Sequence, residues 1–108
     1  MNDWQVLQDY VTGASEQAFS ELMDRHLGLV FSTAFRVLGN TQAAEDATQA
    51  VFCLLANKAR DLPPGTLLVG WLYQTAFFIA SRQKQSDRNL RGSHQRPGLW
   101  LVPRQYAD

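Results

Sequence analysis

A combination of aromatic, amide and basic residues near the C-terminal end of the chain is the clearest chemical signal in the sequence. When the stretch 71–85 is wound at 3.6 residues per turn, these residues share one side: Trp71, Gln74, Phe78, Arg82 and Gln85. Arg88 lies close to that side, and Phe77 and Lys84 border it. Flat rings stack on unpaired bases and cations follow the phosphates, so this composition is typical of a surface that binds single-stranded nucleic acid. The alternative is that Trp71 and Phe78 pack against another helix or a folded-back tail.

A second polar face occurs in the stretch 40–62. One side of the predicted helix is an apolar stripe, which consists of Ala44, Ala47, Val51, Leu54 and Leu55. The other side carries Gln42, Glu45, Asp46, Gln49 and also Phe52, which lies off the stripe. We therefore expect Phe52 to be exposed. Either it is an ordinary exposed apolar residue, or it is an aromatic anchor ringed by polar groups at a protein interface.

The same residues argue against an enzyme. Glu45 and Asp46 are adjacent, so on a helix they project about 100° apart, which is poor geometry for a cooperating acid and base. The sequence has no nucleophile motif and no glycine-rich phosphate loop. Cys53 is the single cysteine and is interpreted as a packing residue, and the two histidines lack partners at ligand spacing. We expect no catalysis, no metal and no other cofactor.

The charge of the chain is zero overall but unevenly spread. Residues 1–62 contain eight acidic and four basic side chains, whereas residues 63–108 contain two acidic and six basic ones. This asymmetry suggests that the second half faces a polyanion, although an unstructured basic tail would give the same count. No long apolar run and no basic-then-apolar opening occur, so we expect no membrane span, no signal peptide and a cytoplasmic location.

Helical periodicity runs through most of the chain and predicts an all-α fold of three long helices and a short one. Asn2 caps a short helix over 2–13, and Ser15 caps a long one that stops at Gly39. The long helix buries a stripe that consists of Phe19, Leu22, Met23, His26, Leu27, Val30, Ala34 and Leu38. The helix of 40–62 follows directly, which makes an antiparallel hairpin.

Consecutive prolines at 63 and 64 require a loop over 61–66, and the last helix is predicted from 67 to 90. Its apolar stripe consists of Leu68, Leu72, Ala76, Ile79 and Ala80. We predict one helical domain over 1–91. Glycine and proline interrupt 92–108 too often for a helix, so this tail is predicted to be irregular or disordered, and its apolar segment 99–102 either folds back on the domain or is exposed.

Four motifs occur in an informative order. They are AF-x-x-L at 18–22, R-x-LGN at 36–40, AED-x-x-Q-x-VF at 44–52 and WLY at 71–73. In combination, they resemble region two of bacterial RNA polymerase sigma factors of the extracytoplasmic-function class, over roughly residues 3–91.

The resemblance implies partners for both polar faces. It implies that the helix at 41–60 docks on the clamp helices of the largest subunit of core RNA polymerase, and its candidate contacts are Glu45, Asp46, Gln49 and Phe52. It also implies that the loop at 61–70 and the helix at 71–90 open the promoter minus-ten element and capture the non-template single strand. The candidate contacts to bases and backbone are Trp71, Gln74, Phe78, Arg82 and Lys84, and those to phosphates are Arg88 and Arg91.

The sequence departs from the family pattern on the promoter side. Many members have Asn where Phe78 stands and Asp where Arg82 stands, and the loop is unusually rich in proline and apolar residues. The tail 92–108 resembles neither the family's linker nor its minus-35-reading domain. The leading hypothesis is a domain that binds polymerase and promoter DNA. The alternative is a protein-interaction module that binds the polymerase clamp or an anti-sigma factor without productive promoter binding.

Overall fold

The computed structural model describes the backbone of residues 2–13 and 15–91, and the side chains of those residues as far as 86. The helices are α1 (Asp3–Gly13), α2 (Glu16–Leu38), α3 (Thr41–Lys58) and α4 (Leu68–Arg91), with a 3₁₀ turn at Ala59–Asp61. These residues include no strand, so the all-α prediction of three long helices and a short one is confirmed. The tail 92–108, predicted to be irregular, lies outside the described residues.

Local hydrogen bonds begin the first three helices where the sequence predicts. Asn2 Oδ1 accepts a hydrogen bond from the Gln5 amide at 2.8 Å, and Gln5 Oε1 accepts one from the Asn2 amide at 3.1 Å. This reciprocal pair is a capping box. The side chains of Ser15 and Asn40 each accept a hydrogen bond from the amide three residues later, at 3.1 and 2.8 Å. Each cap satisfies a backbone donor that the helix leaves unpaired.

The turn between α2 and α3 depends on a glycine. Gly39 has a φ of 67°, in the left-handed region, and its amide donates to the Phe35 carbonyl oxygen at 2.7 Å. A residue with a Cβ is strained in this conformation, which is why glycine ends the helix here. Because Asn40 caps α3 immediately afterwards, α2 and α3 form a tight helical hairpin.

The core forms where α2 meets the other three helices. α2 packs against α1, α3 and α4, and α3 also packs against α4. The main cluster of buried apolar residues consists of Val6, Leu7, Leu22, Val30, Val51, Phe52, Leu55, Ala59, Leu68, Trp71, Leu72 and Ala76. A second cluster contains only alanines, Ala34, Ala44, Ala47 and Ala80, so α2, α3 and α4 approach closely there. None of the described helices is long and apolar enough to cross a membrane.

A buried hydroxyl in this core offers a stability test. Thr75 is fully buried, and its Oγ1 has no hydrogen-bond partner among the described residues. Because an unsatisfied buried polar group costs about 1–3 kcal/mol, we expect Thr75→Val to raise the free energy of unfolding by about 1 kcal/mol. The matched control is Thr48→Val, since buried Thr48 donates to the Ala44 carbonyl oxygen at 2.8 Å. Urea denaturation should show no gain for that control, and a loss of stability in Thr75→Val would contradict the prediction.

A polar cluster attaches α1 to α2. Asp3 Oδ2 lies 2.9 Å from Nε2 of the buried His26, and Asp3 Oδ1 accepts a hydrogen bond from Arg25 Nη1 at 3.1 Å. Burial alone would raise the pKa of Asp3, but the hydrogen bonds and positive charge of His26 and Arg25 outweigh it and lower the pKa below its ordinary value of 3.8. The carboxylate form of Asp3 is therefore preferred in the folded protein.

The lowered pKa of Asp3 gives a pH dependence of defined sign. Since the folded-state pKa lies below the unfolded one, the stabilisation is present above pH 3.8 and is lost as the pH falls through the folded pKa. We expect Asp3→Asn to lower the free energy of unfolding at pH 7 by about 1 kcal/mol, as for a partly exposed ion pair. The difference in free energy of unfolding between Asp3→Asn and the unmodified chain should disappear in strong acid, where Asp3 is protonated. Asp9→Asn, at an exposed position of the same helix, is the control. An equal loss in both variants at pH 7 would contradict a role for the cluster.

Candidate functional site

An open groove lies between α2 and α3, with a volume of about 660 Å³. α2 contributes Met23, Leu27, Gly28 and Phe31, and α3 contributes Glu45, Thr48, Gln49 and Phe52. The groove is open at Gly28, where a Cβ added to the residue would meet nothing within 4 Å. The groove therefore has apolar residues along α2 and a polar rim along α3.

The predicted polar contacts lie on or beside this rim. Glu45, Asp46 and Gln49 are all exposed, and Glu45 and Gln49 line the groove. Asp46 is absent from the lining, and its Oδ1 accepts a hydrogen bond from Gln42 Nε2 at 3.2 Å. Sequence reasoning thus placed the polar side of α3 correctly in solvent.

The expected exposure of Phe52 is wrong. Phe52 is 2% exposed and belongs to the main core cluster, although it is also one of the residues that line the groove. α3 is covered by α2 and by α4, so its buried arc is wider than the single stripe that periodicity predicts. Thr48 and Leu55, which flank Phe52 at helical spacing, are buried as well.

The exposed apolar residue at the groove is instead Leu27, which we had assigned to the buried stripe of α2. It is 45% exposed and lines the groove. Leu27 fits the apolar periodicity of α2 as well as its buried neighbours do, so no pattern within that helix separates it from them. Leu27 is exposed because α3 does not cover this part of α2. How far α3 covers α2 depends on the packing of the two helices and not on the sequence of α2 alone.

The predicted nucleic-acid face of α4 is only partly exposed. Trp71 is 6% exposed and packs in the main core cluster, so the structure supports the alternative stated for this residue, that it packs against other helices. α4 packs against both α2 and α3, and Trp71 lies within the resulting wide buried arc, between buried Leu68 and Thr75. The aromatic ring at this position is therefore a core element rather than a free stacking surface.

The remaining members of the face stay together. Gln74 is exposed, Phe78 is half-buried, and the Arg82 guanidinium lies 5.8 Å from the centroid of the Phe78 ring, at cation–π distance. Their spacing of four residues places all three on one side of α4. These three residues bring together an amide, an aromatic ring and a cation.

Lys84 also has a structural contact. Its Nζ donates to the Val37 carbonyl oxygen at 3.0 Å, in the last turn of α2. A cation at a helix C-terminus is stabilised by the unpaired carbonyls there. Arg88 and Arg91 lie in α4, but their side chains are outside the described residues.

Two exposed aromatic residues on α4 were not among the predicted contacts. Tyr73 is 45% exposed and Phe77 is 51% exposed, and with Val69, 41% exposed, they follow each other at intervals of four residues. We call these three residues the α4 apolar row. A signal for the row exists in the sequence, because 62–81 contains no charged residue and more apolar residues than one buried stripe requires.

Comparisons with known proteins found matches that cover most of the helical part of the chain. The family model for Sigma-70 region 2 matches residues 22–88, from the first third of α2 almost to the end of α4. The chain belongs to the Sigma-70 region 2 family. It is also 31% identical, over 83 residues, to the ECF RNA polymerase sigma factor SigE of Mycolicibacterium smegmatis. That alignment covers 68% of this chain and 32% of SigE, so the chain corresponds to about a third of that relative. No solved structure matched.

The matched part of this Sigma-70 region 2 domain contains the groove and nearly all of α4. A loop with a defined turn joins α3 to α4. The Pro63 carbonyl oxygen accepts hydrogen bonds from the Thr66 amide at 3.1 Å and from Thr66 Oγ1 at 2.6 Å. Gly65 has a φ of 82°, which a type II turn requires after Pro64. Leu67 follows the turn and is 75% exposed. The prolines that distinguish this loop thus preset a tight turn before α4.

Proposed function

We propose that this sigma-70 region 2 domain acts in transcription initiation by binding core RNA polymerase through the groove between α2 and α3, and promoter DNA through α4. It does so by binding alone, without catalysis or a cofactor. The partners are the clamp helices of the largest polymerase subunit and the non-template strand of the minus-ten element, in the cytoplasm. The groove is the observation that carries the proposal, because it joins an exposed apolar residue to polar side chains that the family resemblance assigns to polymerase.

The groove has the composition of a protein interface. Leu27, Met23 and Phe31 provide the apolar side, and Glu45 and Gln49 provide a polar rim. Such a patch, with an apolar centre and a hydrogen-bonding border, suits a partner helix that presents apolar residues along one side. Both lining helices are held by the tight turn at Gly39 and Asn40, so the groove needs little rearrangement before it binds.

The DNA part of the proposal rests on α4. The row of Gln74, Phe78 and Arg82 supplies an amide, a ring and a cation, and Tyr73 and Phe77 supply exposed rings. Stacking of one base on one ring contributes about 1–3 kcal/mol. We therefore move the proposed stacking role from Trp71 to Tyr73 and Phe77, and keep Gln74, Phe78, Arg82 and Lys84 as candidates for polar and backbone contacts.

One observation favours a second candidate function, a protein-interaction module that binds the clamp or an anti-sigma factor without productive promoter binding. The run 62–81 has no charged residue, so the first half of α4 offers no cation to the phosphates of DNA. Apolar side chains at this density are also found at protein interfaces. Both functions use the same groove, and they differ in whether α4 reads DNA.

The groove is tested with two leucines on α2. We expect Leu27→Asp to weaken binding to core RNA polymerase about tenfold or more, or about 1.4 kcal/mol, because it places a charge in the apolar part of the groove. Leu29 is 37% exposed and outside the groove lining, so Leu29→Asp is the matched control. Affinity is measured by fluorescence anisotropy, and thermal unfolding checks that both variants fold. Equal affinities for the two variants would exclude the groove as the docking site.

A measurement of DNA binding distinguishes the two candidate functions. The unmodified chain, bound to core polymerase, is titrated with a single-stranded minus-ten-like oligonucleotide and with its scrambled sequence at several salt concentrations. Promoter recognition predicts tighter binding of the minus-ten sequence at every salt concentration. Equal binding of both oligonucleotides, falling steeply with salt, would indicate backbone contacts alone and would favour the interaction module.

A further inference from the structure

A stacked pair of aromatic rings continues the apolar side of the groove along α2. Phe31, which lines the groove, stacks on Phe35 with ring centroids 6.0 Å apart and an angle of 24° between the planes. Phe35 is 40% exposed and lies outside the groove lining. Leu27, Phe31 and Phe35 follow one another at intervals of four residues, so their side chains form a strip about 12 Å long. We call these three residues the α2 apolar row.

The exposed end of this row is not part of the core. Phe31 packs against the alanine cluster, whereas Phe35 belongs to neither of the two core clusters of described residues. A single exposed apolar residue is common on protein surfaces. A ring that continues an apolar groove is different, because joined apolar surface is typical of sites that bind other proteins. We therefore interpret the groove and the row as one surface.

Acidic side chains border this surface on both helices. Asp24 is exposed and lies seven residues before Phe31, so the two residues project within about 20° of each other on α2. Across the groove, α3 carries the exposed Glu45 and Asp46. The border of the surface is therefore negatively charged.

The basic residues of the same part of α2 do not neutralise this border. Arg25 forms ion pairs with Asp3 and Glu21. Arg36 is exposed, but it is adjacent to Phe35 in the sequence and so projects about 100° away from it. An apolar strip with an acidic border is complementary to a partner that has apolar residues flanked by basic ones.

We propose that the α2 apolar row, together with the groove, seats one basic amphipathic helix of core RNA polymerase. This inference rests on the proposed function and extends it, because it adds a contact at Phe35 and gives the charge of the partner. The apolar residues of the partner pack along the row, and its lysine or arginine side chains lie opposite Asp24 and Glu45. Each step along the row turns about 40° further around α2, and helices that pack through such ridges cross at about 50°. The polymerase helix therefore crosses α2 obliquely.

The contact at Phe35 is tested with a matched pair of variants on α2. Phe35 and Leu29 are 40% and 37% exposed, and Leu29 lies outside both the groove lining and the row. We expect Phe35→Ser to weaken binding of the full chain to core RNA polymerase about fivefold or more, whereas Leu29→Ser should leave the affinity unchanged. Fluorescence anisotropy measures the affinity, and thermal unfolding checks that both variants fold. Equal affinities for the two variants would overturn the contact at Phe35.

The charge of the partner is tested by reversing one acidic residue. Asp24→Lys and Asp9→Lys change the net charge equally, but Asp9 lies at an exposed position of α1. A basic partner helix predicts that Asp24→Lys weakens polymerase binding about fivefold at low salt, and more than Asp9→Lys does. The difference between the two variants should shrink as the salt concentration rises, since salt screens exposed charges. Equal effects, or tighter binding by Asp24→Lys, would overturn a basic partner.

The response of Leu27→Asp separates this inference from the proposed function. If Leu27→Asp weakens polymerase binding and Phe35→Ser does not, the groove still binds polymerase and the extension along the row is overturned. If neither variant binds more weakly, the proposed polymerase site fails as well. Sedimentation velocity of the free chain tests another occupant. A dimer that Phe35→Ser dissociates would assign the row to a second copy and overturn the inference.

Discussion

Phe52→Ala is expected to lower the free energy of unfolding by about 3–5 kcal/mol, the cost of removing a buried aromatic ring. The ring is 2% exposed and lies in the main core cluster, which brings together side chains of all four helices. Alanine leaves a cavity at this position that the surrounding helices cannot fill without moving. Because a domain of this size has a total stability of about 5–15 kcal/mol, the loss is a large fraction of it. Urea denaturation at pH 7 measures it.

Phe35→Ala is the control for this prediction. Phe35 is 40% exposed on α2 and stacks on Phe31, with ring centroids 6.0 Å apart. Its removal should cost much less than that of Phe52. A loss below about 1 kcal/mol for Phe52→Ala would be typical of a surface substitution. It would support the original prediction that Phe52 is an exposed aromatic anchor. A loss of polymerase binding in Phe52→Ala would not by itself indicate a direct contact, because the substitution also disturbs the core beside the groove. Leu27 is therefore the better test of docking.

Trp71→Ala should have a loss of stability of similar size, about 3–5 kcal/mol. Trp71 is packed in the same core cluster as Leu72 and Ala76. Its removal should lower DNA binding only in proportion to the fraction of unfolded protein. Thermal or urea unfolding, followed by far-UV circular dichroism, gives the stability.

Tyr73→Ala is the contrasting variant on the same helix. Its side chain is 45% exposed, so the free energy of unfolding should change little. If Tyr73 stacks on a base, the affinity for the minus-ten-like oligonucleotide should fall by about 1–3 kcal/mol. A Trp71→Ala protein that keeps full stability and loses DNA binding would reverse the two assignments.

The parts of the fold that depend on local interactions could be predicted from the sequence. Asn2, Ser15 and Asn40 begin helices because their side chains bond amides only three residues away. Gly39 ends α2 because its backbone conformation excludes most other residues. Consecutive prolines likewise separate α3 from α4. Each of these effects is decided within one turn of the chain, and none depends on what packs against it.

The exposure of single side chains could not be predicted in the same way. An apolar stripe assumes that each helix buries one side, whereas α3 and α4 each contact more than one neighbour. The additional neighbour buries Phe52 on α3 and Trp71 on α4. Leu27 stays exposed because the neighbouring helices do not cover that part of α2. For the candidate site, the polar rim of Glu45 and Gln49 followed from one helix alone. The apolar side of the groove could not be predicted from α3, because its residues belong to α2.

The groove also has a property that concerns the order of synthesis. Every residue that lines it lies between positions 23 and 52, in the hairpin of α2 and α3. α4 begins at Leu68, so the residues of the proposed polymerase-binding surface are synthesised before the helix that we propose binds DNA. Contacts between neighbours in sequence also form quickly, since little loop entropy is lost in closing the two-residue turn. A ribosome-bound chain that has released only its first three helices therefore already carries all the side chains of the proposed docking site.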